Sequence, residues 1–277
     1  MDFPVKRIEV QIYEIQEPRE AEAVAALGVD RIGTVILSGE DWKAPVLRET
    51  VRAVQGAAVQ SGLIPLFDDR ETIFGVLDYY QPDFVHFCEA ISPFPGDRQT
   101  VMKQCDGLIG LQQAVRAQFP AVTVMRSLSL PRPGMAEGEE ILDNILTILD
   151  KLAPVSDYFL LDTLRGAQGA LLEQPVTGFV GITGEICDWR IAQRVVAVSP
   201  IPVILAGGLD AANVGEAMRT VRPAGVDSCT RTNARAADGR PIRFRKDLTK
   251  VKNMVEEVRR VEAEGSCPRK SGNGREN

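Results

Sequence analysis

Two places in this 277-residue chain combine residue types that could do chemistry. The first is Val203-Ile204-Leu205, an apolar run followed by Ala206-Gly207-Gly208-Leu209. A helical pattern over 210–221 comes next, with Asp210 as its expected N-cap. Strand, glycine turn and helix start together can cradle an anion. Backbone N–H groups converge there, and the missing Cβ atoms allow close approach. An ordinary tight turn reads the same way, so the motif needs support. The second place is Asp162, which follows Phe159-Leu160-Leu161. A carboxyl group at the mouth of an apolar strand loses solvation, which raises its pKa and suits it to general acid–base work. A helix cap or a salt bridge to Arg126 is the structural alternative.

Other candidates fall at the same kind of position. Gln11 and Tyr13 lie two apart on one pleat face, as do His86 and Cys88. Arg126 ends another apolar run. Gly181, Thr183 and Gly184 belong to a glycine-containing loop, and Ser228, Thr230 and Arg231 follow a late strand. These loops and the Gly207-Gly208 turn come in chain order and could surround one phosphate. Cys88 could supply a thiol, but an unactivated thiol is mostly protonated at neutral pH. His86 is the sole histidine. Asp68, His86 and Asp162 could meet at one divalent ion, yet no ligand spacing supports a metal site, and no metal or cofactor is expected. No lysine falls at an expected strand end, so Schiff-base chemistry lacks its nucleophile.

The elements that must position these residues alternate. Strands are expected at 7–14, 31–36, 63–67, 84–88, 122–126, 158–162, 203–206 and 225–229. Helices are expected at 18–28, 45–61, 69–80, 99–118, 137–152, 188–198, 210–221 and 247–263. Pro18 and Pro45 open the first two helices, and Gly28 closes the first. Strand and helix alternating eight times point to an α/β fold, a single-domain (β/α)8 TIM barrel over 1–262. An open doubly wound sheet is the alternative, but its GxGxxG turn after the first strand is missing. The stretch 163–186 is long enough to be functional or mobile. Residues 263–277 read as a flexible polar tail.

Composition narrows the function. The chain is 44% hydrophobic and 25% charged, and it carries a net charge of −6. That excludes a broad nucleic-acid-binding face. No apolar run approaches membrane-spanning length, and the N-terminus lacks a signal-peptide core. Five cysteines without CxxC spacing form neither a disulfide framework nor a zinc site. A cytoplasmic enzyme, monomeric or homodimeric, acting on a phosphorylated small molecule is expected.

Several motifs then resemble phosphoribosylanthranilate isomerases, over most of residues 9–256. The third quarter is the specific part. Leu160-Leu161-Asp162 matches the family's LLD strand end, and Pro202 through Leu209 with Asn213-Val214 and Glu216-Ala217 matches PVILAGGL…NV.EA. Gly181-Ile182-Thr183-Gly184 with Asp188-Trp189 resembles GGTG…FDW, and Gly225 through Arg231 echoes GVDVSSGVE. Val85-His86-Phe87-Cys88-Glu89 resembles VQLHG. The first quarter, from Val10 through Gly33, matches mainly in pattern. The resemblance implies a (β/α)8 fold and an Amadori rearrangement in tryptophan biosynthesis. An aspartate acts there as general acid on the ribose ring oxygen, a role that carries over to Asp162.

The departures are specific. The family's cysteine, its general base toward the carbon-2 proton, is Tyr13 here, and a tyrosine with a pKa near ~10 is a poor base at neutral pH. The lysine two residues earlier is Gln11. Asp41 stands where an arginine is expected, and the last phosphate-loop glycine is Arg231, whose side chain could still bind phosphate. The resemblance therefore implies a diverged isomerase, or a related lyase, that works by general acid–base chemistry on a phosphorylated sugar. An isomerase proper with rearranged catalytic residues and a non-catalytic phospho-ligand-binding barrel are the alternatives.

Overall fold

The computed structural model describes residues 7–94, 98–135, 139–165 and 175–266. Eight parallel strands close into a barrel: β1 (Glu9–Ile12), β2 (Arg31–Ile36), β3 (Gln60–Pro65), β4 (Phe84–Phe87), β5 (Thr123–Leu130), β6 (Tyr158–Thr163), β7 (Val203–Leu205) and β8 (Gly225–Ser228). Each is followed by a helix: α1 (Pro18–Ala25), α2 (Pro45–Ala53), α3 (Arg70–Tyr80), α4 (Arg98–Gln118), α5 (Glu139–Leu152), α6 (Trp189–Val198), α7 (Val214–Val221) and α8 (Leu248–Ser266). The expected (β/α)8 barrel is therefore the observed fold. β1 closes the ring against β8, pairing Gln11 with Asp227 and Ile12 with Ser228.

Local chemistry explains the elements. Pro18 and Pro45 sit in the first turns of α1 and α2, where a missing N–H costs nothing. Asp69 caps α3 by accepting from the Thr72 N–H at 2.9 Å, and Asp188 caps α6 through the N–H groups of Arg190 and Ile191. The strands are buried on both faces, as a barrel sheathed by helices requires. Glycines make room inside the barrel. A Cβ on Gly62 would lie 2.1 Å from the Phe84 ring, so the ring fills the volume that a side chain would take. At the lower end Arg31 is buried between Glu9, at 2.8 Å, and the face of Tyr158. That pair caps the interior far from the strand ends that carry the loops.

Several expected boundaries move. α2 stops at Ala53 rather than 61, because Gly56 takes φ 86° and turns the chain. β5 runs on to Leu130, past the polar residues Ser127 and Ser129. α7 begins at Val214, with Asn213 and not Asp210 in the capping position. The Asp210 side chain instead accepts from the Ala212 N–H within the preceding turn. α8 reaches Ser266, beyond the expected end of the barrel domain, and residues 267–277 of the expected tail lie outside the described residues. So does 166–174, the middle of the long stretch 163–186. A β-hairpin, β9 (Asn233–Arg235) and β10 (Pro241–Lys246), is inserted between β8 and α8. Its turn holds Asp238-Gly239, with Gly239 at φ 82°. No described helix is long and apolar enough to cross a membrane.

Candidate active site

Two adjoining recesses open at the C-terminal ends of the strands. One, of about 50 Å³, is lined by residues from β1, β4 and β6 and the loops that follow, including Tyr13, Glu14, His86, Cys88 and Gly181. The other, of about 20 Å³, lies over β7 and β8. It brings together Thr183, Gly184, Gly207, Gly208, Ser228, Thr230 and Arg231, all expected at a phosphate. Asp162 and Asp227 line both recesses and mark the seam between them.

Asp162 sits near the end of β6, where the apolar run delivers it half-buried to the seam. Burial raises its pKa to about 6, and the hydrogen bond that it accepts from the Thr163 N–H at 2.7 Å offsets that only in part. The Gly181 backbone crosses close above it: a Cβ there would lie 3.0 Å from Asp162 Oδ2. Near neutral pH this carboxyl holds its proton far more often than a free aspartic acid does. It makes no salt bridge to Arg126. That arginine is buried against Glu89, with Nη1 2.5 Å from the carboxylate, and belongs to neither recess. Strand alternation explains the correction. The side chains of Met125 and Ser127 reach Tyr13 and His86 inside the barrel, so Arg126 between them faces outward.

The cradle over β7 and β8 is built from backbone. Gly207 and Gly208 take φ 84° and 58°, conformations that favour glycine. A Cβ on Gly208 would fall 2.7 Å from the Gly184 carbonyl oxygen, so the two glycine loops touch main chain to main chain. Arg231 clamps them: Nε donates to the Gly184 carbonyl at 3.1 Å, and Nη1 lies 3.3 Å from Asp210. Asn213 Nδ2 donates to the Gly208 carbonyl at 2.8 Å. Ser228 Oγ donates to the Leu209 carbonyl. Thr230 Oγ1 is buried without a hydrogen-bond partner and is available to a ligand in the recess.

The opposite side is neutral. Tyr13 Oη lies 2.7 Å from His86 Nδ1, and His86 Nε2 lies 2.8 Å from Ser127 Oγ. The Tyr13 ring occupies the space over Gly33, where a Cβ would be 1.8 Å from it. Burial lowers the His86 pKa to about 3, so the imidazole is uncharged, and burial lifts the Tyr13 hydroxyl well above its ordinary value. The Cys88 thiol is likewise pushed up by burial and by the neighbouring Glu89. Neither Tyr13 nor Cys88 is ionised near neutral pH, so neither is poised to take a proton from carbon. Two further expectations are corrected. Gln11 is fully buried below the recess, donating to Asp227 Oδ1 at 3.2 Å, because β1 ends one residue later and Tyr13 covers it. Asp41 is exposed in the loop between β2 and α2, outside both recesses. No described group of histidine, cysteine and carboxylate side chains could hold a metal.

Glu14 is the residue that strand periodicity hides. Alternation from Gln11 and Tyr13 sends it outward, but its backbone takes φ 61° and breaks the alternation, and the residue lines the first recess. It is 1% exposed. Oε1 pairs with Arg243 Nε of the inserted hairpin at 2.5 Å, whereas Oε2 has no hydrogen-bond partner.

Comparisons with known proteins agree with this fold. The family model for N-(5'-phosphoribosyl)anthranilate (PRA) isomerase matches residues 144–230, the segment from α5 through β8. The N-(5'-phosphoribosyl)anthranilate isomerase of Methanosarcina acetivorans is 26% identical over 251 residues, covering 90% of this chain and 92% of its own. Among solved structures, the enzyme of that name from Pyrococcus furiosus superposes with a TM-score of 0.62 at 21% identity, covering 92% of this chain and all of that one. A phosphoribosyl anthranilate isomerase in complex with reduced 1-(o-carboxyphenylamino)-1-deoxyribulose 5-phosphate superposes with a TM-score of 0.57 at 17% identity. It covers 91% of this chain and 98% of its own. The chain resembles the phosphoribosylanthranilate isomerases, diverged in sequence from the relatives it matches.

Proposed function

We propose that this chain is an isomerase of the phosphoribosylanthranilate isomerase kind. It opens a ribofuranosyl amine 5-phosphate and rearranges it to the 1-amino-1-deoxyribulose 5-phosphate. The observation that carries the reading is Asp162, a carboxyl group whose pKa burial raises to about 6, at the seam between two recesses, one of them walled by glycine loops. The phosphate binds the main chain around Gly207, Gly208 and Gly184, with Thr230 Oγ1 and the Arg231 guanidinium beside it. The sugar then spans the seam. Asp162 delivers its proton to the ring oxygen as the bond from that oxygen to carbon 1 breaks, and the nitrogen lone pair closes the iminium. Burial leaves a larger share of this carboxyl protonated near neutral pH than of a free aspartic acid.

The amine is the variable part. Gln11 and Asp41 stand apart from the recesses, which favours an amine other than anthranilate and a reaction diverged from the tryptophan pathway. The protein acts on this small molecule as a cytoplasmic monomer or homodimer.

The test is turnover by the purified full chain of ribosylamine 5-phosphates formed from ribose 5-phosphate with anthranilate and with a panel of other amines. Appearance of the carbon-2 ketone is followed by NMR. At least one compound is converted, and Asp162→Asn slows it ~10²–10⁴-fold, the usual range for losing a general acid. Failure of every compound to react above its uncatalysed rate would overturn the reading.

A further inference from the structure

A general acid alone does not complete an aldose-to-ketose rearrangement, because a proton must also leave carbon 2. Tyr13 and Cys88 are both held protonated by burial. His86 is neutral, but both of its ring nitrogens are engaged, one by Tyr13 and one by Ser127. Asp227 is pushed well above the ordinary carboxylate range by burial and by the charge of Asp162, and it accepts from Gln11. Glu14 differs from all of these. It lines the same recess, is ion-paired through one oxygen, has no geometric hydrogen bond to the other, and has the Cys229 thiol of the recess wall beside its carboxylate.

Backbone strain points the same way. A glutamate at φ 61° is held in a conformation that L-residues rarely adopt, and such outliers persist where surrounding structure enforces them. Here the enforcement is visible: the Ile15 N–H donates to the Gly33 carbonyl on one side, and Arg243 grips the carboxylate on the other. Arg243 comes from β10 of the inserted hairpin, which Lys246 ties to the site by donating to the Cys229 carbonyl at 2.9 Å.

We propose that Glu14 Oε2 is the proton acceptor for carbon 2, and that Arg243 is the positioning residue that aims it. The proposal rests on the functional reading above. The carbon 2–hydrogen bond breaks and its electron pair forms the carbon 1–carbon 2 double bond, while the iminium π pair moves to nitrogen. Glu14 carries the proton and returns it to carbon 1. The carbon-2 hydroxyl gives its proton to Asp162, now a carboxylate, and becomes the ketone. Carbon 1 is reduced as carbon 2 is oxidised, so no outside oxidant or reductant is needed. Within this scheme the base stands just past the end of β1, and the hairpin from the other end of the chain aims it.

The test uses N-(5'-phosphoribosyl)anthranilate, or the fastest member of the amine panel, with protium or deuterium at carbon 2. Glu14→Gln keeps shape and is expected to lower kcat ~10²–10⁴-fold with little change in KM. Tyr13→Phe is expected to cost at least tenfold less. Arg243→Lys retains a cation and is expected to keep most of the rate. Arg243→Met is expected to lose about tenfold in kcat with KM nearly unchanged, and to enlarge the primary deuterium isotope effect at carbon 2. A merely structural arginine would not change that isotope effect. A primary deuterium isotope effect is expected to grow in Glu14→Asp, which keeps the carboxylate but retracts it. Turnover by the unmodified chain with Glu14→Gln within threefold of it overturns this proposal and leaves the functional reading standing. If Glu14→Gln does not fold, an unchanged isotope effect in a folded Arg243→Met overturns the proposal instead. No turnover of any compound by the unmodified chain overturns both.

Discussion

The two sides of the strand-end mouth are built on different principles. Over β7 and β8 the ligand surface is main chain. Gly207, Gly208 and Gly184 hold positive φ, and their loops touch each other through backbone atoms. Over β1, β2 and β4 the surface is side chain: Tyr13, His86, Cys88 and Glu14 fill it. The family model matches 144–230, which takes in the first side and stops short of the second. A wall made of backbone tolerates few substitutions, since a Cβ at Gly207 or Gly208 would collide with its neighbours. A wall of side chains can be exchanged residue by residue as long as the barrel packs. The seam between them carries Asp162.

Breaking the first side should weaken binding and folding together. Gly208→Ala puts a methyl group 2.7 Å from a backbone carbonyl at φ 58°, which the loop can relieve only by moving. The expected outcome in steady-state kinetics is a rise in KM of about tenfold or more, with folding stability down by ~1–3 kcal/mol. An unchanged KM in a folded variant would mean that phosphate is held elsewhere.

The seam gives an opposite effect on stability. The folded pKa of Asp162, about 6, lies above the ordinary aspartate value near ~4. Its protonated form is accommodated at low pH, and stability is lost as pH rises through about 6, when the charge must be buried. Asp162→Asn should therefore raise the melting temperature at pH 8, by the equivalent of ~1–3 kcal/mol, and leave it nearly unchanged at pH 4. The same variant is the one that loses activity, which sets the cost of holding the acid against its use. Melting curves at the two pH values check both directions.

The contrast also explains what the sequence made readable. Glycine turns and the apolar run before Asp162 announce themselves, because only a few residue types can take those positions. The alternation of strand and helix led directly to the barrel. Side-chain direction was harder. Arg126 looked like a strand-end residue because β5 was expected to stop there, whereas β5 continues to Leu130 and turns Arg126 outward. Glu14 was missed for the converse reason, since one left-handed residue cancels strict alternation. The hairpin had a local sign in Asp238-Gly239, a favoured hairpin turn pair. Its contact with Glu14 links residues 229 positions apart and has no sequence signature.

The most direct test of the whole account is a ligand-bound structure with reduced 1-(o-carboxyphenylamino)-1-deoxyribulose 5-phosphate, the product analogue seen in a structurally similar isomerase. The account predicts the phosphate against Gly184, Gly207, Gly208 and Thr230, the ribulose chain across Asp162, and carbon 2 within reach of Glu14 Oε2. A phosphate bound outside the glycine cradle, or a sugar chain that leaves Asp162 without contact, would contradict it.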